Sequence, residues 1–116
     1  MNNNPLKKLV TLQKEGKAVG TYSACSANKY VIEATLIRGK QDNSCVLIES
    51  TANQCDQNGG YTGMTPLDFK NFVLEIADKV GFDKNKLFLG GDHLGPLTWT
   101  HLNEKEAMEN ATELIK

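Results

Sequence analysis

Asp92-His93, directly after Gly90-Gly91, is the sharpest chemical signal in this chain. A neutral imidazole is a common zinc ligand, and a neighbouring carboxylate can transfer a proton or orient the ring. The glycines before the pair would let a ligand approach the backbone closely, Gly91 above all. The same residues also read as a loop histidine hydrogen-bonded to structure, with Asp92 capping the next turn. An isolated Asp-His pair does not separate these readings. Glu49 and Asn53-Gln54 sit just past an apolar run and could face a shared pocket, or Glu49 could be an ordinary exposed strand end.

Gly59-Gly60-Tyr61-Thr62-Gly63-Met64-Thr65 is a glycine-rich stretch feeding a helix start, with Gly60 as its candidate pocket residue. Backbone N–H groups at a helix N-terminus can hold a phosphate. The stretch lacks both the Lys-Ser/Thr of a P-loop and the G-x-G-x-x-G of a dinucleotide site, and a long turn with positive φ angles is the preferred reading. Cys25 has no sequence-local base and is expected to be buried and inert. Trp99 and His101 are expected to pack over the rim of the fold.

These residues must be positioned by alternating helix-like and strand-like segments. A short leading helix is predicted from about Pro5 to Glu15, with Leu6, Leu9 and Val10 on one side and Gly16 as its stop. Val19 to Ala24 is a strand candidate, weakened by Gly20. Asn28 can cap a helix to about Arg38, with Val31, Ala34 and Thr35 along one face and Gly39 ending it. Cys45 to Glu49 is continuously apolar enough to suggest a strand buried on both faces. Thr65-Pro66-Leu67-Asp68 reads as a helix start, with a cap, a proline in the first turn and an acid beside it. Phe69, Phe72, Val73, Ile76 and Val80 then follow at helical spacing until Gly81. Leu87 to Gly90 is a further short strand, expected to be buried. Asn103-Glu104-Lys105-Glu106 resembles a capping box opening a last helix, striped by Ala107, Met108, Ala111, Leu114 and Ile115.

A leading helix followed by three β–α units predicts a parallel sheet with crossover helices, of the doubly wound or barrel kind. In such folds ligands gather at the carboxyl ends of the strands, which is where the chemical residues above lie. The last helix runs to Lys116 without a stop signal, so the chain is expected to be a truncated piece of its fold.

The 116 residues are 40% hydrophobic and 23% charged, with a formal net charge of −1. That composition fits one ordinary domain and supplies no basic footprint for nucleic acid or an anionic membrane. No apolar run approaches the roughly 20 residues of a membrane span. Met1-Asn2-Asn3-Asn4-Pro5 has no apolar stretch behind it, so no secretory signal is expected. Cys25, Cys45 and Cys55 form an odd set without paired metal spacing, which suits reduced thiols in a cytoplasm.

The run Val46-Leu47-Ile48-Glu49-Ser50-Thr51, then Asn53-Gln54 and Gly59-Gly60-Tyr61-Thr62-Gly63-Met64-Thr65-Pro66, resembles the Z-type subunits of bacterial class II D-tagatose-1,6-bisphosphate aldolases. Ile76-Ala77-Asp78-Lys79-Val80-Gly81-Phe82 and Leu89-Gly90-Gly91-Asp92-His93-Leu94-Gly95-Pro96 carry the same likeness, which spans about Leu6 to Lys116. The resemblance implies an α/β fold: the N-terminal three βα units of one (β/α)₈ barrel (a TIM barrel), preceded by a short helix. It implies an auxiliary subunit, required by a catalytic Y-type partner in galactitol or N-acetylgalactosamine catabolism. Alternative readings are a zinc-dependent sugar-bisphosphate aldolase in its own right, or the tagatose-6-phosphate kinase label that members have also carried. By the same resemblance Asp92 matches a proton-transfer acid and His93 a Zn²⁺ ligand. The chain departs from the catalytic relatives in carrying Gly90-Gly91 before that pair. The pair supplies at most two ligands, whereas a catalytic zinc usually takes three from protein, so the rest are expected beyond Lys116.

Overall fold

The computed structural model describes residues 4–116. Met1, Asn2 and Asn3, part of the opening read for a leader, lie outside the described residues. The elements follow the order α1 (Pro5–Lys14), β1 (Ser23–Cys25), α2 (Lys29–Gln41), β2 (Val46–Thr51), α3 (Pro66–Val80), β3 (Leu87–Asp92) and α4 (Glu104–Ile115), with single 3₁₀ turns at Lys84–Lys86 and Pro96–Trp99. The strands form one sheet in the order β1-β2-β3, and both pairings are parallel. This is an α/β arrangement with a helix after every strand.

The helices begin where the sequence supplies a cap. The Asn28 side chain accepts from the N–H groups of Tyr30 and Val31, satisfying donors that a helix start would otherwise leave orphaned. At α3, Thr65 accepts from Asp68 N–H while the Asp68 carboxylate accepts from Thr65 N–H, and Pro66 occupies the first turn. Asn103 Oδ1 accepts from Glu106 N–H at 3.0 Å to open α4.

The main core lies between the sheet and two helices. Ile32 and Leu36 of α2, Val46 and Ile48 of β2, and Phe69, Val73, Ile76 and Ala77 of α3 are all buried there, closed at one end by Phe82. Each fully buried side chain of this size contributes about 1.5–3 kcal/mol relative to its exposed state. A second cluster joins Trp99 to Ala107 and Ala111 of α4, so Trp99 packs against that helix whereas His101 is exposed.

Several expectations are corrected. The α2 helix does not stop at Gly39 but continues through it to Gln41, and its buried face is Ile32, Leu36 and Gly39; Val31 is 46% exposed. The reason is packing: Gly39 lies against Val46 and Phe82, where any side chain would collide. Strand β1 covers only Ser23–Cys25, because it pairs only with Leu47, Ile48 and Glu49. Strand β2 is buried on one face and half-buried on the other, so Val46, Ile48 and Ser50 alternate with Leu47, Glu49 and Thr51. Strand β3, expected to be buried, runs at the edge of the sheet on to Asp92 and leaves Leu89, Gly90 and Gly91 exposed. The stripe expected on α4 is also narrower, since Met108 and Ile115 are exposed.

Candidate functional site

The alternation of β2 decides which residues meet. Side chains of a strand point alternately to its two faces, and partners in register on parallel strands share a face. Val46, Ile48 and Ser50 turn to the helices, so Leu47, Glu49 and Thr51 turn to the other face. Cys25 is in register with Glu49, Gly90 with Glu49, and Asp92 with Thr51. Cys25, Glu49 and Asp92 therefore converge on the helix-free face, at the carboxyl ends of three adjacent strands.

The convergence is close. One ligand atom from each of Cys25, Glu49 and Asp92 lies within 4.8 Å of the others. The Cys25 thiol points at Asp92 Oδ2 at 3.9 Å, and Asp92 Oδ1 accepts from His93 N–H at 3.0 Å. Gly90 adds no side chain to this row; a Cβ there would stand 3.7 Å from the Glu49 carboxylate. The Cys25 thiol is pushed above its ordinary pKa, first by desolvation, then by the negative charges of Asp92 and Glu49 and by its hydrogen bond to Asp92. It is thus a protonated donor at neutral pH, not a nucleophilic thiolate.

The residues expected from the sequence fall into different roles. Glu49 and Asp92 are brought together. His93 adopts a left-handed backbone (φ 51°), its side chain is 72% exposed, and its Nε2 lies 3.5 Å from Asp92 Oδ2. It stands outside the Cys25–Glu49–Asp92 group. Asn53 Oδ1 accepts from Thr98 Oγ1 at 3.0 Å, tying the loop after β2 to the turn after β3. Gln54 is engaged within its own loop: its Oε1 accepts from Thr51 N–H, and its backbone carbonyl accepts from Thr62. Gly60 (φ 56°) passes so near the Gln54 carbonyl that a Cβ would be 2.6 Å from its oxygen. Gly91 faces the opposite side of the sheet, where a Cβ would be 2.7 Å from Leu94.

The loop after β2 is a built turn rather than an open cradle. Buried Asp56 accepts from Asn58 N–H at 2.7 Å and from Gly60 N–H at 3.1 Å, and Tyr61 N–H donates to the Asn53 carbonyl. The N-terminus of α3 is closed by its own Asp68 carboxylate. The N–H groups of Asn58, Gly59, Gly60, Tyr61, Thr62, Met64 and Thr65 donate within the chain, and a negative charge already occupies the positive end of the helix dipole.

Sequence reasoning missed two residues. Cys25 was expected to be buried and is exposed; its partner Asp92 is 67 positions away, so no local pattern links them. Asp56 organises the glycine turn, and its position just ahead of Asn58-Gly59-Gly60 is the signal that could have marked it as an Asx-type turn residue. A cavity of 290 Å³ lined by Ser50, Phe69, Leu89, Gly91, Leu94 and Leu114 lies on the helix side of the sheet. It is apolar and turned away from the carboxylates.

The family model described as D-tagatose-1,6-bisphosphate aldolase subunit GatZ/KbaZ-like matches residues 6–116. The chain belongs to the GatZ/KbaZ-like family. Among its relatives, the D-tagatose-1,6-bisphosphate aldolase subunits GatZ of Escherichia coli O1:K1 / APEC and of Shigella boydii serotype 18 are each 51% identical over 111 residues, covering 96% of this chain. This GatZ/KbaZ-like chain spans about a quarter of those relatives, 26% of their length. A crystal structure of a protein from Sinorhizobium meliloti 1021, described as a probable tagatose 6 phosphate kinase, superposes with a TM-score of 0.80 at 52% identity. That match covers 84% of this chain and 25% of the other. Among the described residues no helix is long and apolar enough to cross a membrane.

Proposed function

We propose that this chain forms the first three βα units of a single (β/α)₈-barrel domain in the Z-type subunit of a D-tagatose-1,6-bisphosphate aldolase. The whole subunit supports a catalytic Y-type partner in the cytoplasm, in galactitol or N-acetylgalactosamine catabolism, and does not itself cleave the sugar. The observation that carries this reading is the 51% identity over 111 residues to GatZ subunits. The sheet agrees with it: three parallel strands carry their polar residues at the carboxyl ends, on the face that a barrel would enclose.

A second reading, a zinc-dependent aldolase in its own right, is favoured by Glu49 and Asp92 standing together at the strand ends. There Asp92 would hold or move a proton at its Oδ2, and His93 would serve as a zinc ligand, with the bound zinc polarising the sugar carbonyl. The donor set is compatible with zinc, although its mutually close members are Cys25, Glu49 and Asp92 rather than His93. The kinase description of the Sinorhizobium relative gains no support from the glycine loop, where the Asn58 and Gly60 N–H groups donate to the Asp56 carboxylate.

The test is cleavage of tagatose-1,6-bisphosphate by the full-length subunit, alone and co-expressed with its Y-type partner. Alone it should show negligible turnover, with the partner's activity and melting temperature raised on co-expression, as binding to the folded state requires. Turnover by the subunit alone, abolished in Asp92→Asn, would replace the auxiliary reading with the aldolase one.

A further inference from the structure

We propose that Cys25, Glu49 and Asp92 are the ligands of a zinc-type cation site at the carboxyl ends of the three strands, with His93 outside it. The site does not depend on whether the subunit is auxiliary or catalytic, because a cation there can serve structure alone.

The donor chemistry selects the ion. One sulfur and two carboxylates suit zinc, which accepts Cys, Asp and Glu, whereas calcium and magnesium call for oxygen throughout. The distances are near those required. Zinc–sulfur and zinc–oxygen bonds of about 2.3 and 2.0 Å at a tetrahedral angle place sulfur and oxygen about 3.5 Å apart. Cys25 Sγ and Asp92 Oδ2 stand at 3.9 Å, and all three ligand atoms lie within 4.8 Å of one another. Side-chain rotation closes the remaining gap while the paired strands keep their register.

Charge points the same way. Among the described residues Glu49 makes no side-chain hydrogen bond or ion pair, and the ion-pair partner of Asp92 is the exposed His93. Two half-buried carboxylates thus face one thiol with no lysine or arginine bridging them. A divalent cation would be shared by both carboxylates, and the Cys25 S–H bond gives its proton to solvent as the metal–sulfur bond forms. His93 is poorly placed to join them. Its Nε2 lies 3.5 Å from Asp92 Oδ2, but it is not a member of the group whose ligand atoms all lie within 4.8 Å of one another.

Cobalt(II) replaces zinc in such sites and reports a thiolate ligand by a near-ultraviolet charge-transfer band, a readout independent of activity. Titration of the full chain with cobalt should give this band saturating at one equivalent, and zinc should displace it. Cys25→Ser should abolish the band. Glu49→Gln and Asp92→Asn should each weaken apparent affinity by on the order of tenfold or more, and His93→Ala should leave both band and affinity within about twofold. Circular dichroism of each variant separates ligand loss from unfolding, and the exposed position of Cys25 makes Cys25→Ser a mild change. The proposal is overturned by absence of the band in a folded chain, or by a band that survives Cys25→Ser. It is equally overturned if His93→Ala removes the band while Glu49→Gln spares it.

Discussion

Gly39 of α2 lies directly against Val46 at the start of β2, so close that a Cβ on Gly39 would overlap Val46 Cγ2 and stand 3.2 Å from the Phe82 ring. The helix and the strand approach as far as backbone and side chain allow. In an exposed helix, replacing glycine by alanine stabilises by about 1 kcal/mol. Here Gly39→Ala should destabilise instead, by about 1–3 kcal/mol, because overpacking outweighs propensity. Denaturant unfolding of Gly39→Ala, Val46→Ala and the double variant checks this. The double variant should recover part of the Gly39→Ala loss, and an unchanged or raised midpoint for Gly39→Ala alone would count against the contact.

Gly60 and Gly63 share the left-handed region but differ in surroundings. A Cβ on Gly60 (φ 56°) would sit 2.6 Å from the Gln54 carbonyl oxygen, whereas one on Gly63 (φ 77°) meets nothing within 4 Å. Both alanine variants should lose about 1–2 kcal/mol to backbone strain. Gly60→Ala should lose roughly 1 kcal/mol more, since a backbone carbonyl cannot rotate away as a side chain can. Equal losses would mean that the turn relaxes and that its close approach is unimportant.

Glycine also explains which parts of the fold were legible in the sequence. The whole of α3 could be read, because Thr65, Pro66, Asp68 and Gly81 are all local signals and the apolar spacing between them is regular. The end and face of α2 could not. Gly39 carries the same letter whether it stops a helix or thins it for packing, and only the position of Val46 decides. Reading it as a stop hid the Ile32–Leu36–Gly39 face. At the site, Glu49 and Asp92 were legible because each lies at the end of an apolar run. Cys25 was not, because its neighbours arrive from two other strands through register. Asn53, Gln54 and Gly60 were singled out as pocket residues, and their observed contacts build the loop.

The capping box at α3 makes an acid-side prediction. Asp68 is held below the usual carboxylate pKa by hydrogen bonds from the Thr65 backbone and side chain. A carboxylate depressed in the folded state contributes stability above its unfolded pKa of about 4, lost as pH falls through the lower folded value. Melting temperature measured from pH 6 downward should therefore fall more steeply in the parent than in Asp68→Asn, with the difference confined to the region below about pH 4. Thr65→Ala should flatten the profile similarly, as it removes the hydroxyl that Asp68 bonds. Parallel profiles for all three proteins would show that the box does not couple to folding.

The thiol at the strand ends gives the alkaline counterpart. Cys25 is exposed, yet its pKa is raised by desolvation first, then by Asp92 and then by Glu49. Iodoacetamide reacts with thiolate, so at pH 7.5 Cys25 should be alkylated in the native state more slowly than an unperturbed cysteine of pKa about 8.5. Asp92→Asn should accelerate the reaction more than Glu49→Gln, because Asp92 supplies both the larger charge effect and the hydrogen bond. Linkage fixes the sign for stability. A thiol raised in the folded state favours folding below its unfolded pKa, and that contribution fades as pH rises through the folded value. Loss should therefore begin above about pH 8.5 and be smaller in Cys25→Ser. Buried Cys55, also raised chiefly by desolvation, should resist alkylation until the chain unfolds. Peptide mass mapping after timed alkylation distinguishes the sites. Rapid native labelling of Cys25 that neither carboxylate substitution accelerates would mean that the three side chains do not share one electrostatic environment.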